Sequence, residues 1–587
     1  MKYEYRMIQE PRELSTTSGL GKESIDFHTH AISVPCQSAC PVGTNVPEYI
    51  EKIAQGKMDE AYEVNLEDNV MPGVLGRICV RPCQKKCRHN WSDIHGPVEI
   101  CSLKRVAADR AGMKVKMPAK FYEASGKKIA IVGGGPAGIA AARELARFGH
   151  TIHLFEKEEQ LGGMLMDGIP RYRLPKEVID EEVAQVLEYG IEVNYGSMVD
   201  REKLNELISK YDAVIVATGT VLPNLLSVDG LGQEEMLSGL EFMRRYNRGE
   251  VKELKGDVVI IGGGFTAVDS ARSCARTARK MLGKSGKVTV VYRRSLEYMS
   301  ADPRELEEMN QEKIQIRTLL SPLQVMKKRN QLDAVLFQKN YMGKNTEGKP
   351  EILTVEGETE EISCKHLIIA IGQKADFDIL PFGVQLLEEY RTSEEKLFVI
   401  GDFYSGSMDV IHSIADGKNV ARIIDAQLMK RVRSRKAVKV EGAHWNGETG
   451  RMRAHDVQRP PEMSLLEVKK RIGNNPEVEL GFTDREAKVH STRCYYCHYK
   501  FVINQEKCIH CNWCLDVRPR NCIKKVEKFE YDEEGNIMKV AIAQTDEEAS
   551  FIWIDSEQCI RCGKCLRTCP TGAIEMLKTT VIEDFCL

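Results

Sequence analysis

Two cysteine runs close to the C-terminus carry the most explicit chemistry in this sequence. The first is Cys508-x2-Cys511-x2-Cys514, followed by Cys522. The second is Cys559-x2-Cys562-x2-Cys565-x3-Cys569-Pro570. Each iron of a cubane cluster requires a thiolate, and a C-x2-C-x2-C loop can wrap three corners while a more distant cysteine supplies the fourth. The runs therefore make a ligand set for two [4Fe-4S] clusters and point to one-electron chemistry. Structural zinc is the competing reading, but its C-x2-C pairs do not call for a third cysteine at the same step. The first run departs from the usual spacing, because Arg518-Pro519 stands where a fourth cysteine before a proline is expected. Cys522 is its natural substitute.

A second chemistry is written into two glycine-rich turns. The apolar strand predicted over 127–132 runs directly into Gly133-Gly134-Gly135-Pro136-Ala137-Gly138 and an alanine-rich helix ending near Gly149. Gly133 permits the tight turn, Gly135 lets the backbone approach a pyrophosphate, and Gly138 allows helix and strand to pack closely. The next strand, 151–155, ends in Glu156, placed to bind a ribose hydroxyl. The pattern returns in a strand over 257–261 and in Gly262-Gly263-Gly264-Phe265-Thr266-Ala267, where Gly262, Gly264 and Ala267 take the three positions, before a helix to about Arg279. No acid closes the following strand, 287–292. Arg293-Arg294 stand there instead and suit the 2'-phosphate of NADP(H) through charge-assisted bonds, the alternative being a solvated edge. Later, a strand over 398–400 leads into Gly401-Asp402 and a helical segment over 411–424. This arrangement resembles flavoproteins with two dinucleotide domains, in which such an aspartate binds the ribityl chain. Ala217-Thr218-Gly219 and Ala370-Ile371-Gly372 resemble their crossover strands, so the first fold is expected to be split around the second.

These elements need several domains, and 587 residues suggest three to five. With 83 basic and 86 acidic residues there is no electrostatic case for nucleic acid or an anionic membrane. The opening MKYEYRMIQE lacks the apolar core of a signal peptide, and no run approaches the roughly 18 apolar residues of a spanning helix. A cytoplasmic protein is expected. Nineteen cysteines in grouped spacing then favour metal thiolates over disulfides. Cys274 and Cys364 stand outside the groups and read as buried apolar residues.

Residues of roughly 30 to 440 resemble the small-subunit family of NADPH-dependent glutamate synthase. That family also includes the large subunit of electron-bifurcating NADH-dependent ferredoxin:NADP oxidoreductase and the electron-input part of dihydropyrimidine dehydrogenase. The motifs are Cys36-x3-Cys40-Pro41, Gly76-Arg77-x-Cys79-x3-Cys83-x3-Cys87, PVEICSLKRVAAD at 97–109, the first glycine turn, Leu161-Gly162-Gly163 with Gly168-Ile169-Pro170, and Tyr292-Arg293-Arg294. The resemblance implies FAD at the first fold, with Gly163 near it, NADP(H) at the second, and clusters in the N-terminal part. The C-terminal runs are similar to two-cluster ferredoxins, where the fourth ligand is exchanged between runs. That similarity groups Cys508, Cys511 and Cys514 with Cys569, and Cys559, Cys562 and Cys565 with Cys522.

The N-terminal part departs from the family. The Arg-Cys-x2-Cys that usually precedes the Cys36 position is missing, and the position that can carry a glutamate or glutamine ligand falls at Lys104. Cys101, one helical turn earlier, is the replacement, giving one expected cluster on Cys40, Cys79, Cys83 and Cys101 or a close permutation. Cys36 and Cys87 are left over. Arg493-Cys494-Tyr495-Tyr496-Cys497 repeats the missing signature far along the chain, and PEVELGFT at 476–483 also resembles the family. Cys494 and Cys497 could join Cys36 and Cys87 around a fourth cluster, or hold zinc with His498 or Cys586.

The expected architecture is α/β, with two interleaved Rossmann-like folds between iron-sulfur domains. A helical iron-sulfur domain spans 1–122, the split FAD-binding domain 123–225 and 375–436, and the NADP(H)-binding domain 226–374. A polar, non-periodic linker follows over 437–490, and a two-[4Fe-4S] ferredoxin-like domain over 491–587. The expected function is an NADP(H)-dependent FAD and iron-sulfur oxidoreductase subunit with at least three clusters, needing no catalytic acid, base or nucleophile. It would pass electrons to other subunits of an electron-transfer complex, to ferredoxin or to another redox protein. Cluster domains at both ends offer two exits, as an electron-bifurcating flavin requires. The rivals are a glutamate synthase small subunit and a non-catalytic electron wire or scaffold.

Overall fold

The glycine turns and cysteine runs are carried by a helical unit, two dinucleotide folds of which the first is split around the second, and a C-terminal unit. The computed structural model describes residues 34–585 except 91–93, 113–114, 233–235, 252–253, 282–285, 444–453, 472–474 and 532–536, together with the two-residue strands Glu4–Tyr5, Glu13–Leu14 and Ile25–Asp26. The first unit is helical: α1 Val46–Ala54, α2 Met58–Asp68, α3 Pro72–Ile78 and α4 Ile100–Arg110. On α1 the buried Val46, Tyr49, Ile50 and Ile53 recur at helical spacing, which turns one apolar stripe to the core. Gly76 lets α3 cross α4 closely, since a Cβ there would lie 2.8 Å from the Arg105 Cα.

The first dinucleotide fold opens with β1 Lys128–Val132, α5 Pro136–Arg147, β2 Thr151–Phe155, β3 Glu192–Asn194 and β4 Ala213–Val216. The chain then leaves through Leu222–Pro223, which pairs antiparallel with Gln373–Lys374 on the way back. Between them lies the second fold: β5 Val258–Ile261, α6 Phe265–Met281, β6 Val288–Tyr292, β7 Gln315–Thr318 and β8 His366–Ile369. Its parallel sheet runs β7-β6-β5-β8, with Leu237–Ser238 at the edge. An antiparallel meander over 320–328, 331–344 and 350–363 is inserted before β8; the sequence reading placed no such unit there. On its return the chain adds β9 Leu397–Val399, completing a parallel sheet β9-β4-β1-β2-β3. The long helix α7, Val410–Met429, then lies on α5. Gly417 permits this approach, because a Cβ there would lie 2.4 Å from the Ala137 carbonyl oxygen.

The segment read as a linker from residue 437 needs correction. Its start lies inside β10, Ser434–Ala443, paired antiparallel over its whole length with a C-terminal strand of residues 574–585. Alternation is weak in β10 because only part of it is buried, so it passed for non-periodic chain. The end of the same segment enters α8, Asp484–Arg493, started by a capping box between Thr483 and Glu486. The segment leading into this helix is held on the N-terminal unit: Arg110 donates to the Phe482 carbonyl at 2.7 Å and Arg105 to the Glu479 carbonyl at 2.7 Å. The C-terminal unit comprises β11 Tyr499–Ile503, β12 Ile523–Tyr531, β13 Ile537–Ile542, β14 Phe551–Ile554 and β15 Ile574–Phe585. Glu4–Tyr5, β10, β15 and β11 form one sheet, and β13, β12 and β14 another. Among the described residues no helix is long and apolar enough to cross a membrane.

Candidate functional site

Both glycine turns have the shape that a dinucleotide needs. Gly133 has φ +107°, and a Cβ there would sit 2.5 Å from the Ala217 carbonyl oxygen; a Cβ on Gly138 would sit 2.0 Å from the Gly133 carbonyl oxygen. In front of Gly135 there is open space, at the N-terminus of α5, where free N–H groups and the helix dipole favour phosphate. Gly163 borders that space, 3.1 Å from its would-be Cβ to the Gly135 Cα. The buried Glu156 carboxylate accepts the Gly134 N–H at 2.7 Å and the Glu158 N–H at 2.9 Å, which anchors it at the lip of the turn. Gly401 packs against Ala137 of α5, its would-be Cβ 2.8 Å from the Ala137 Cβ, and so brings Asp402 to the same turn. Burial pushes the Asp402 carboxyl up, while the Ser413 hydroxyl donates to it at 3.1 Å. These residues fit a bound FAD.

At the second fold Gly262 has φ +150° and a would-be Cβ 2.2 Å from the Ala370 carbonyl oxygen, Gly264 faces open space, and Ala267 is buried. Arg293 and Arg294 leave the end of β6 with exposed side chains. Their carbonyls are held, by the Asn340 amide at 3.3 Å and the Leu319 N–H at 3.2 Å. Neither guanidinium has a partner among the described residues, which suits them to an external anion.

The thiols collect into four groups. Cys40, Cys79, Cys83 and Cys101 are all buried. The Cys79 thiol is within bonding reach of Cys101, which together with burial holds it well above the ordinary range, and Cys101 also meets Cys83. Cys40 joins them around Lys104, which neighbours all four. The second group unites distant segments. Burial, followed by Cys497, Cys87 and Cys494, pushes Cys36 well up. In the third, Cys522 meets Cys559, Cys565 and Cys562; the hydrogen bond from Cys522 draws Cys559 down against burial. The fourth comprises Cys508, Cys511, Cys514 and Cys569, where burial and the neighbouring sulfurs push Cys514 up to about 12. Four thiols brought together can all become thiolates once a multivalent metal centre takes up their charge. Each group fits a cluster on that ground.

The groups are also strung together. The buried Tyr49, whose hydroxyl donates to the Ile100 carbonyl at 2.9 Å, lies among Cys83, Cys101, Cys36 and Cys40. Arg561, Arg88 and the buried Lys500 lie between Cys497 and Cys559. Cys514 neighbours Cys565. The two ends of the chain, read from sequence as separate exits, thus meet in one succession of thiol groups. Among the described residues the fourth group alone has all four cysteines half-buried, Cys87 being the one half-buried cysteine of the other groups, and the adjacent Ile509 and Trp513 are 60% and 53% exposed.

The remaining expectations separate. His498 directs Nε2 to Glu51 at 3.3 Å, and Cys586 lies outside the described residues. Cys274 and Cys364 are buried among apolar side chains. Sequence reasoning passed over Tyr49, Arg88, Lys500 and Arg561, since a lone aromatic or cation carries no spacing signal; for Arg561 its place inside Cys559-x2-Cys562 could have served as one.

Comparison with known proteins agrees with this geometry. Residues 127–417 match the pyridine nucleotide-disulphide oxidoreductase family, residues 30–115 the 4Fe-4S cluster domain II of dihydropyrimidine dehydrogenase, and residues 552–575 a 4Fe-4S binding domain. The chain is 28% identical over 512 residues to the NADP(+)-dependent formate dehydrogenase subunit beta of Moorella thermoacetica, covering 80% of this chain and 71% of that one. It is 28% identical over 520 residues to the NADPH-Fe(3+) oxidoreductase subunit beta of Geobacter sulfurreducens, covering 79% and 75%. It is 29% identical over 453 residues to the glutamate synthase [NADPH] small chain of Escherichia coli, covering 72% and 93%. The chain is similar to these NADPH-dependent oxidoreductase subunits, and a pyridine nucleotide-disulphide oxidoreductase domain set between two 4Fe-4S domains makes it an NAD(P)H-dependent flavin and iron-sulfur oxidoreductase.

Proposed function

We propose that this chain is the NADP(H)-handling subunit of a larger electron-transfer complex and carries four [4Fe-4S] clusters along a single route. When bound, FAD supplies the exchange between a two-electron hydride and the one-electron chemistry of the clusters. The chain's own residues do the rest. The glycine turns hold the two pyrophosphates, Glu156 and Asp402 anchor the flavin nucleotide, and Arg293 with Arg294 take the 2'-phosphate. The route begins at Cys40, Cys79, Cys83 and Cys101. It continues through the group of Cys36, Cys87, Cys494 and Cys497 and that of Cys522, Cys559, Cys562 and Cys565, and ends at Cys508, Cys511, Cys514 and Cys569.

The observation that carries this reading is the continuity of the thiol groups, the last being the one whose four cysteines are all half-buried. One exit favours a simple conduit over a two-exit bifurcating arrangement. The exposed Ile509 and Trp513 beside the last group offer a contact face for a partner subunit, a ferredoxin or another redox protein. The names of the relatives, beta subunits and small chains, support a chain that works with partners. The test is anaerobic addition of NADPH to the isolated chain, with copurification from the host to identify partners. Reduction of its own flavin and clusters without turnover of a small metabolite is the expected result; rapid turnover of one by this polypeptide alone overturns the subunit reading.

A further inference from the structure

Lys104 is a lysine in a place where lysine is costly. It lies on α4 three residues after Cys101, and the residue is 3% exposed. Its Nζ donates to the Asn69 Oδ1 at 2.8 Å; the Asn69 Nδ2 donates to the Thr44 Oγ1 at 2.6 Å, and Thr44 stands 3.3 Å from the Cys40 sulfur. The amine is therefore fixed by a short polar chain that ends on one cysteine of the first group and begins one helical turn from another. No carboxylate pairs with it among the described residues. A buried ammonium without a counter-charge is strongly disfavoured. Burial alone would lower its proton affinity, yet the neighbouring Cys101, Cys79, Cys40 and Cys83 outweigh that and hold it above the ordinary lysine range.

We propose that Lys104 is the built-in counter-ion of the cluster held by Cys40, Cys79, Cys83 and Cys101, and that its positive charge raises that cluster's reduction potential. This rests on the cluster assignment proposed above. Each electron that enters makes the cluster and its thiolates one unit more negative. A fixed ammonium in a dry site stabilises the reduced form more than the oxidised one. Electrons leaving the flavin side are thereby drawn onto the first cluster. Lys104 acts through charge alone and is no iron ligand.

The test is an anaerobic redox titration of the full-length, iron-loaded chain, followed by electron paramagnetic resonance, for wild type, Lys104→Met and Lys104→Arg. Lys104→Met should keep its iron and shift one cluster negative by at least about tenfold in the reduction equilibrium, roughly 59 mV for one electron, leaving the other clusters in place. Lys104→Arg keeps the charge and should keep the potential. Full iron with an unmoved potential in Lys104→Met overturns the proposal. If Lys104→Met loses one cluster, retention of that cluster and its potential by Lys104→Arg supports the proposal; loss of iron by both variants assigns Lys104 a packing role and overturns it. Iron content near twelve instead of about sixteen in the wild type, with the missing cluster at these cysteines, separates failure of the cluster assignment from failure of the charge argument.

Discussion

Arg88, the residue after Cys87, donates through Nη1 to the Ser556 carbonyl at 2.7 Å and so ties the N-terminal thiols to the loop that begins at Cys559. Ser556 is held a second time, its hydroxyl accepting the Arg561 Nη2 at 2.8 Å. The contact joins segments more than four hundred residues apart in sequence, and it lies where the proposed route passes from one half of the molecule to the other.

Arg88→Ala should loosen that junction. A lost charge-assisted hydrogen bond at a part-buried site costs about 2 kcal/mol, roughly 30-fold in the population of the open form. Faster amide exchange over 551–565, with exchange in the dinucleotide sheets unchanged, is the expected signature. Unaltered exchange there would show that the junction is held by other contacts.

Cys494→Ser combined with Cys497→Ser should remove about four irons of about sixteen and leave zinc at zero. The C-terminal pair of clusters should persist, because Cys508 to Cys569 supply their own ligands. Loss of zinc with iron unchanged would instead establish a zinc site at this pair.

Two glycines of the first turn should respond differently. Valine at 138 meets the Gly133 carbonyl, where a Cβ has only 2.0 Å, so Gly138→Val should lower the melting temperature of the flavin-free chain. Gly135 faces open space, so Gly135→Val should fold normally and purify without flavin. Normal flavin content in Gly135→Val contradicts a pyrophosphate at this turn.

Replacing Arg293 and Arg294 together by alanine should weaken NADPH binding by about 2 kcal/mol, roughly 30-fold, because both guanidiniums are exposed and free to meet the 2'-phosphate. NADH binding should be unmoved. An equal loss for both nucleotides would place the arginines elsewhere than on the phosphate.

Glu182 gives a pH prediction. Its carboxylate accepts the Val74 N–H at 3.0 Å and also the Gly73 N–H, at the start of α3, while burial pushes it up to about 7 from 4.5. A carboxyl raised on folding binds its proton more tightly in the native state, so its contribution is fully present below about 4.5 and is lost as pH rises through about 7. Wild type should therefore lose about 1–3 kcal/mol relative to Glu182→Gln between pH 5 and 8. Parallel stability curves for the two proteins over that range would refute the linkage.

What could be read without the fold was whatever is local in the chain. A strand, a turn of three glycines and a helix are adjacent residues, so the turns at Gly133 and Gly262 and the acid at Glu156 were legible from spacing alone. So were the triplets Cys508 to Cys514 and Cys559 to Cys565, since a loop wrapping three corners of one cluster needs only the seven contiguous residues of each run. The beginning of the linker was misread because β10 takes its partner, β15, from the far end of the chain, and a half-buried strand shows little alternation by itself. The tertiary structure decided the rest. Cys36 and Cys87 meet Cys494 and Cys497 because Arg105 and Arg110 hold the segment that leads into α8 on the N-terminal helices. Lys104 becomes a charge among thiols because α3 and α4 close over it. Long-range packing decides which side chains share a dry site, and burial then sets their charges, so neither could be read from spacing along the chain.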